Sequence, residues 1–231
     1  MSNLELSFTV HQGGETTPLT FAPTNLVVAG WTGRDAAERD KHIAELEALG
    51  VARPASTPIF YRASARRLTT DDSIEVCGPD SSGEAEFILL ADQGRLLVGT
   101  ASDHTDRKVE TYNVTVSKQM CDKPMAADLW DFEDVADHWD RLTLRSHAWI
   151  DGTRVLYQEG AVSRMLPPGE LISTYTGGEH HLPDGTAMLS GTLAVEGGIR
   201  PATRFEFELE DPVLNRRIGH GYDITTLPNR G

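Results

Sequence analysis

The stretch Gly83-Glu84-Ala85-Glu86-Phe87-Ile88-Leu89-Leu90 decides the fold, because it opens an alternating run that a turn at Asp92-Gln93-Gly94 reverses. Two such runs joined by a short turn predict a β-hairpin from Gly83 to Gly99. Alternate residues of a strand point to the same face, so Glu84 and Glu86 share a face that continues with apolar side chains. Two carboxylates on such a face repel each other unless a cation lies between them. The stretch therefore predicts a divalent-metal site.

A second acidic stretch, Asp103-His104-Thr105-Asp106-Arg107, follows the hairpin. Its polar residues are typical of a turn in which Asp side chains bind backbone N–H groups. Either aspartate is also suited to be a third metal ligand. Hard cations such as Mg²⁺, Mn²⁺ and Ca²⁺ take carboxylate oxygens, and no cysteine pair or histidine spacing indicates zinc. Spacing alone leaves both aspartates open as the third ligand.

The run Arg204–Glu210 provides an internal comparison for the acidic pair. Its acids alternate with Phe205, Phe207 and Leu209. A uniformly charged face opposite an apolar face is typical of a strand with one side in solvent. Unlike the hairpin, this run indicates an ordinary surface.

One predicted helix carries a candidate acid/base pair. Apolar residues recur at helical spacing between Asp35 and Gly50, which predicts a helix there. On it, His42 and Glu45 are three residues apart and share a face. A carboxylate that fixes the tautomer of an imidazole makes a general acid/base pair, and an ordinary surface contact is the alternative. The pair His180-His181 lies among turn residues and is predicted to be a solvated loop.

The composition restricts the class of partner. The 231 residues carry a formal net charge of -14, which argues against a nucleic acid or an anionic membrane because both require basic surface. Two cysteines, Cys77 and Cys121, cannot form a disulfide framework, and we predict both to be small buried hydrophobic residues. No secretory signal pattern opens the chain, and no apolar run is long enough to cross a bilayer. The chain is therefore predicted to be cytoplasmic.

The whole pattern predicts an α+β fold that is rich in β-strands. Two short helices are predicted, an amphipathic one over Asp131–Leu142 and one that begins at Pro167 or Pro168 and ends before Gly177. No repeat or linker divides the chain, so we predict a single domain over residues 1–231, with residues 1–25 as a small N-terminal strand appendage. Besides the hairpin, strands are predicted at Leu4–Val10, Leu26–Gly30, Ile59–Tyr61, Ile74–Cys77, Tyr112–Val116, Leu142–Ile150, Val155–Gln158, Thr186–Leu193, Arg204–Leu209 and Ile218–Thr225.

The order of these features resembles the fumarylacetoacetate hydrolase superfamily, from about Leu26 to about Thr226. The features are Gly30–Glu45, Pro58-Ile59-Phe60, Glu84-x-Glu86, Asp103–Arg107, Lys118, Asp151-Gly152 with Gln158, and Gly191-Thr192. More closely, Ser102–Arg107, Ser117–Pro124 and His138–Leu142 are similar to a bacterial family catalogued as domain of unknown function 2848.

The superfamily resemblance implies a mixed β-sheet roll around one active site, usually in a homodimer. It implies that Glu84, Glu86 and Asp103 hold Mg²⁺ or Mn²⁺, which selects Asp103 as the third ligand. His42 and Glu45 correspond to a His-x-x-Glu pair that activates water in hydrolases of the superfamily.

The resemblance also implies substrate contacts. Lys118 corresponds to a lysine near the substrate, which gives it a catalytic role. Gln158 and Thr192 correspond to positions that contact the keto-acid end of the substrate. Arg62 and Arg107 are expected to offset the charge of an anionic substrate.

The implied function is an enzyme of small anionic 2-oxo acids. The main expectation is hydrolysis of a carbon–carbon bond in an acylpyruvate-like diketo acid, with a divalent cation stabilising the enolate and His42, oriented by Glu45, deprotonating water. Similar sites also catalyse decarboxylation, hydration and isomerisation, and a non-catalytic keto-acid-binding protein is a further alternative. Three departures bear on the substrate rather than the fold: Arg62 where lysine is common, Leu193 where proline is usual, and His104 in the metal loop.

Overall fold

Strands dominate the structure, with a few short helices, as the sequence predicts. A computed structural model of the protein describes residues 4–48 and 53–230, apart from the side chains at positions 38, 42, 45, 46 and 48. The strands are β1 (Leu6–Gln12), β2 (Glu15–Phe21), β3 (Asn25–Gly30), β4 (Ile59–Ala63), β5 (Leu68–Thr69), β6 (Ser73–Cys77), β7 (Ser81–Ser82), β8 (Ala85–Asp92), β9 (Arg95–Ser102), β10 (Thr105–Asp106), β11 (Lys123–Pro124), β12 (Asp128–Asp131), β13 (Thr143–Ile150), β14 (Thr153–Ala161), β15 (Thr186–Leu189), β16 (Arg204–Asp211) and β17 (Arg216–Leu227). The α-helices are α1 (Ala36–Ala48), α2 (Arg107–Glu110), α3 (Val114–Gln119) and α4 (Pro168–Thr176).

The predicted hairpin lies inside an eight-stranded mixed sheet. The strand order is β2-β1-β12-β9-β8-β15-β3-β4. The pairs β1–β12 and β15–β3 are parallel, and the other neighbours are antiparallel. β8 and β9 pair from Ala85 opposite Ser102 to Asp92 opposite Arg95, so the hairpin prediction is confirmed. The first two strands, predicted as an appendage, form one edge of this same sheet.

A second, five-stranded sheet packs against the first. Its order is β14-β13-β16-β17-β6, with β17 and β6 parallel. The main hydrophobic core contains side chains of both sheets, including Phe87 of β8 and Phe205 and Tyr222 of the smaller sheet. β16 alternates buried and half-buried residues, so the prediction that its acids lie on an outer face is confirmed.

Strand β8 is buried on both of its faces. Phe87 and Leu89 belong to the core between the sheets. Ile88 and Leu90 belong to a second core on the opposite side of the large sheet, which the N-terminal strands help to cover. A strand covered on both sides must be apolar at nearly every position, and this makes the buried acid of β8 an exception that requires a reason.

The predicted strand Tyr112–Val116 is wrong, because the chain forms helix α3 there. The β-branched residues of Val114-Thr115-Val116 favour a strand. The side chain of Asn113, however, accepts a hydrogen bond from the backbone N–H of Val116 at 3.0 Å and caps a helix. A local cap that satisfies a free backbone donor outweighs the strand preference in this short segment.

The amphipathic helix predicted over Asp131–Leu142 is two 3₁₀ helices, Phe132–Asp134 and Ala136–Arg141. Its apolar positions still face the core, since Val135 and Trp139 are buried. The remaining 3₁₀ turns are Ala65–Arg67 and Val162–Arg164.

The helix predicted at Pro167 or Pro168 is α4, and the left-handed residue Gly177 ends it.

Cys121 is buried as predicted, but Cys77 is exposed because it lies on the outward face of β6. His180 and His181 are exposed as predicted. Gly50, the predicted end of the first helix, lies outside the described residues. Within the described chain, no helix has the length and apolar character that a membrane span requires.

Gly83 gives a test of the packing between the sheets. A Cβ added there would lie 2.6 Å from the ring of Phe205, so we expect Gly83→Ala to lower the free energy of unfolding by about 1–3 kcal/mol. Gly169 in α4 has no atom within 4 Å of the same position. Gly169→Ala is therefore the matched control, expected to keep or raise stability. Urea unfolding of both variants measures the difference, and equal stabilities would contradict this packing.

Candidate metal centre

The register of the hairpin brings the three predicted carboxylates together. Ala85 lies opposite Ser102, and the backbone N–H of Asp103 donates to the carbonyl of Glu84 at 2.9 Å, so Glu84 and Asp103 are cross-strand neighbours. Residues opposite each other in a ladder present their side chains to the same face. Carboxylate oxygens of Glu84, Glu86 and Asp103 all lie within 4.8 Å of one another.

The structure separates the two aspartates that spacing left open. Asp106 caps helix α2, since its side chain accepts a hydrogen bond from the backbone N–H of Val109 at 2.9 Å. Asp103 contributes to the carboxylate cluster and is fully buried. The geometry thus agrees with Asp103 as the third acid.

Glu86 is held by a glycine loop. Its Oε2 atom accepts a hydrogen bond from the backbone N–H of Gly191 at 2.8 Å. Gly191 has a φ of +89°, and a Cβ there would lie 2.1 Å from the hydroxyl of Thr32. Only glycine allows the loop to approach the carboxylate in this way.

Two lysines approach the same aspartate. Lys118 Nζ donates to Oδ2 of Asp103 and lies 3.5 Å from Oε2 of Glu84. Lys123 Nζ lies 3.2 Å from Oδ1 of Asp103 and donates to the carbonyl of His104 at 2.7 Å. Lys118 was predicted at the site, whereas Lys123 was not given a role, because a buried lysine has no pattern of its own in sequence.

Arg107 reaches Glu84 from the other side. Its Nη2 atom lies 3.1 Å from Oε1 of Glu84. Its Nε donates to the hydroxyl of Ser82 at 2.7 Å, and its Nη1 donates to Glu110 at 2.9 Å. Glu110 is a further acid of the cluster that sequence reasoning missed.

The cluster has one more carboxylate than it has cationic groups. Glu84, Glu86, Asp103 and Glu110 face three cationic groups, those of Lys118, Lys123 and Arg107. Glu86 forms no ion pair within the described part of the chain and is only 2% exposed. One buried carboxylate therefore lacks a cation.

The protonation equilibria follow this imbalance. Burial, with the charges of Asp103 and Glu84 added, raises the pKa of Glu86 well above its ordinary value. Burial would also raise the pKa of Asp103, but Lys118 and Lys123 outweigh it and hold that pKa below the ordinary value. Burial would lower the pKa of Lys118, and the surrounding carboxylates raise it instead.

These residues fit a hard divalent cation. The three candidate metal ligands, Glu84, Glu86 and Asp103, all offer carboxylate oxygens, which Mg²⁺, Mn²⁺ and Ca²⁺ prefer. The buried Oδ1 atom of Asp103 accepts no hydrogen bond from the described residues, although Lys123 Nζ lies nearby. A cation near Glu86 would also supply the charge that this carboxylate lacks.

Gln158 and Thr192 form a saturated network beside the cluster. Gln158 Oε1 accepts from the backbone N–H of Ala85 at 3.0 Å and from the hydroxyl of Ser146 at 2.9 Å. Its Nε2 donates to Thr192 Oγ1 and to the carbonyl of Leu193, both at 2.7 Å. The network fixes the start of β8. A substrate contact by Gln158 would replace one of these bonds.

Arg62 does not approach the carboxylates. It is exposed on β4, and the buried residues on the opposite face of that strand are Tyr61 and Ala63. Tyr61 is near the cluster: burial raises its pKa, and Lys118 and Glu110 act on it electrostatically. The side chains of His42 and Glu45 lie outside the described residues, so their acid/base roles stay predictions.

His104 is completely buried behind the cluster. Its ring nitrogens contact hydroxyl groups, Nδ1 at 2.8 Å from Tyr222 and Nε2 at 2.9 Å from Ser81. Burial, with Lys123 and Arg107 added, lowers the pKa of His104 to about 3. The imidazole is therefore neutral at physiological pH and acts as one donor and one acceptor.

An open recess of about 530 Å³ lies elsewhere, on the outer face of the smaller sheet. Its polar lining consists largely of arginine and glutamate side chains that pair with each other. Glu206, for example, pairs with Arg154 at 3.1 Å and with Arg204 at 3.2 Å. Such paired charges are typical of a solvated surface, so the carboxylate cluster is the better candidate for chemistry.

Comparison with known proteins supports the resemblance seen in the sequence. Residues 29–222 match the family model described as "Protein of unknown function (DUF2848)". A comparison with curated protein sequences gives no match.

Solved structures share the fold at low sequence identity. Yeast ynq8, a fumarylacetoacetate hydrolase family protein, is 18% identical with a TM-score of 0.64, covering 90% of this chain and 96% of its own. A Burkholderia cenocepacia protein provisionally named a fumarylpyruvate hydrolase is 16% identical with a TM-score of 0.62, covering 99% of this chain and 94% of its own. A 2-keto-3-deoxy-D-arabinonate dehydratase complexed with magnesium and 2,5-dioxopentanoate is 16% identical with a TM-score of 0.62, covering 90% and 74%. The predicted β-sheet roll is confirmed.

The raised pKa of Glu86 gives a prediction for the metal-free protein, which is kept in a chelator. The folded-state pKa of Glu86 lies above the ordinary value of 4.5. Between these two pKa values the folded state holds a proton that the unfolded state has released. We expect the free energy of unfolding to fall with rising pH through the folded-state pKa, by up to about 1.4 kcal/mol per pH unit.

Glu86→Gln removes this titration, so the difference between wild type and variant should change with pH in that direction. Glu210→Gln, on the outer face, is the control and should follow the wild type. Urea unfolding between about pH 5 and pH 9 measures the slopes. A Glu86→Gln variant with the wild-type pH dependence would show that Glu86 is not protonated in the folded protein.

Proposed function

The chain belongs to the DUF2848 family, and we propose that it is a divalent-metal-dependent hydrolase of a carbon–carbon bond in a small 2-oxo acid of the acylpyruvate type. The observation that carries this proposal is the cluster of Glu84, Glu86 and Asp103, in which Glu86 and Asp103 are buried and Glu86 has no cationic partner within 4 Å among the described residues. The proteins with a similar fold support it, because their names include a fumarylpyruvate hydrolase and a keto-acid dehydratase complexed with magnesium.

Glu84, Glu86 and Asp103 would hold the cation. We propose Mg²⁺ as the metal, with Mn²⁺ or Ca²⁺ as alternatives that the same oxygens can bind. When bound, the cation supplies Lewis-acid polarisation of a 2-oxo carboxylate. The other charged residues of the cluster then act on the substrate. Lys118, which is 8% exposed and pairs with Asp103, would offset the charge of the substrate.

His42, oriented by Glu45, would take a proton from water as the oxygen adds to the carbonyl distant from the carboxylate. The bond between that carbonyl carbon and the neighbouring carbon then breaks. Its electron pair stays on the pyruvate fragment, and the proton held by His42 completes that carbon. The products are a carboxylic acid and pyruvate, so the atoms of one water are accounted for. Arg107, which pairs with Glu84, would contribute positive charge beside the substrate. Arg62 is exposed on β4, so it would contact a substrate only from that exposed face.

A lyase reaction is the second candidate, and one observation favours it. The dehydratase complexed with magnesium and 2,5-dioxopentanoate has the same fold as this chain. Decarboxylation or isomerisation of a 2-oxo acid would use the same acids and the same proton carrier, while a keto-acid-binding protein would use the acids alone. Product analysis on a panel of acylpyruvates, oxaloacetate and 3-deoxy-2-oxo acids distinguishes hydrolysis, elimination, decarboxylation and binding without turnover.

We also propose a cytoplasmic homodimer, and sedimentation equilibrium tests the stoichiometry.

Metal binding is the first expected outcome. We expect the wild-type protein to bind one Mn²⁺ or Mg²⁺ per chain in calorimetry, and we expect Glu86→Gln and Asp103→Asn to lose that binding because each removes an anionic ligand. Asn and Gln are chosen over Ala because their amide oxygens keep a hydrogen-bond acceptor and the side-chain volume at each position, so the ammonium groups of Lys118 and Lys123 at Asp103 retain an acceptor. Glu210→Gln should bind the metal normally. Unchanged binding in both cluster variants would remove the metal assignment.

Turnover is the second expected outcome. His42→Ala should lose at least about 10²-fold in kcat on an acylpyruvate while it keeps metal binding, because His42 is assigned to proton transfer. Steady-state kinetics and calorimetry on the same preparation measure the two properties. His181→Ala, in the exposed loop, is the control and should keep full activity. A His42→Ala enzyme with the wild-type kcat would exclude His42 as the proton carrier.

A further inference from the structure

Four buried polar side chains connect the two sheets directly behind the carboxylate cluster. They are Ser81, Ser102, His104 and Tyr222, and none is more than 4% exposed. We call this set the His104 network. Such groups are costly to bury unless each is hydrogen-bonded, and here the two nitrogens of the imidazole and the phenol oxygen are all within hydrogen-bond distance of a partner.

The network ends on the backbone of one carboxylate residue. Tyr222 Oη lies 2.9 Å from Ser102 Oγ, and Ser102 Oγ accepts a hydrogen bond from the backbone N–H of Glu84 at 3.3 Å. The position of the Glu84 backbone is therefore linked to a hydroxyl group of the smaller sheet.

The network is also continuous with the second carboxylate residue. His104 follows Asp103 directly in the chain, and the carbonyl of His104 accepts from Lys123 Nζ at 2.7 Å. The same ammonium lies 3.2 Å from Oδ1 of Asp103. The residue whose ring is held by Tyr222 and Ser81 therefore also provides, through its carbonyl, an acceptor for the cationic neighbour of Asp103.

Tyr222 is a rigid anchor for these bonds. It lies on β17, and its ring packs against Phe205 and Phe207 with centroid distances of 5.9 and 6.3 Å. The ring of His104 meets it edge to face at 5.7 Å. The side chain of Tyr222 has few alternative positions in such a packed core, so its hydroxyl group is a fixed point for the loop.

We propose that Tyr222 and His104 are positioning residues for the metal centre, which hold the end of the β8–β9 hairpin, and with it Glu84 and Asp103, in place through the His104 network. This inference rests on the proposed metal site. It assigns the geometry of acids on the eight-stranded sheet to a hydroxyl group on the five-stranded sheet. Partners of this kind, which orient ligands without touching the metal, change metal affinity by about 10- to 100-fold when they are removed.

The test is Tyr222→Phe, which removes the hydroxyl group and keeps the ring. Tyr157→Phe is the matched control: Tyr157 is equally buried in the same core, but its hydroxyl group bonds the backbone of Arg200 at 3.0 Å rather than the network. Both variants lose one buried hydroxyl group from the core between the sheets. Their Mn²⁺ affinities are measured by calorimetry, and the symmetry of bound Mn²⁺ is measured by electron paramagnetic resonance.

We expect Tyr222→Phe to bind Mn²⁺ about 10-fold or more weakly with a changed Mn²⁺ spectrum, and Tyr157→Phe to retain the wild-type affinity and spectrum. Ser102→Ala, which breaks the same path with a smaller change, should resemble Tyr222→Phe, and it serves if Tyr222→Phe does not fold. Wild-type affinity and spectrum in the folded variants would overturn the positioning role, as would equal losses in Tyr157→Phe. A wild-type protein that binds no Mn²⁺ would instead overturn the proposed metal function.

Discussion

The antiparallel register of β8 and β9 is the constraint on which the site depends. Because Ala85 lies opposite Ser102, the residues just beyond that pair, Glu84 and Asp103, also face each other and share a backbone hydrogen bond of 2.9 Å. Glu86 is two residues along the same face. A slip of one residue would send the acids to opposite faces of the sheet. The apolar residues that bury both sides of β8 prevent such a slip, so the core and the site are specified by the same stretch.

The acidic and the cationic side chains of the cluster are positioned by different kinds of secondary structure. Glu86 and the cross-strand pair are placed by a long hairpin in the middle of a sheet, whereas Arg107 and Lys118 lie on the short helices α2 and α3. Asp106 and Asn113 cap these helices and so determine where the cationic side chains begin. A buried carboxylate is costly without a partner, and the short capped helices supply partners for Glu84 and Asp103 but not for Glu86.

The sequence was informative where the physics is local and periodic. Alternation predicted the hairpin, and the contrast with Arg204–Glu210 identified Glu84 and Glu86 as unusual acids. The choice of Asp103 over Asp106 came from the family resemblance and agrees with the geometry, which neither spacing nor composition could supply. Lys123, Glu110 and the partners of His104 were missed because their roles depend on contacts between residues far apart in the chain. The strand predicted at Tyr112–Val116 failed since one capping side chain outweighed three β-branched residues.

The charge balance of the cluster also bears on the order in which ligands bind. Four carboxylates and three cationic groups leave Glu86 without a cation, and its raised pKa favours the protonated form while no metal is bound. The remaining charges then balance, so the cluster offers an anionic 2-oxo acid no net positive charge. A dication that displaces the proton of Glu86 would leave the cluster with a single positive charge, which one carboxylate of a 2-oxo acid neutralises. The same arithmetic argues against a site that binds keto acids without metal, because no described cation near Glu86 is free of another acid. For the function proposed above, this charge balance favours an ordered sequence in which the metal binds before the 2-oxo acid.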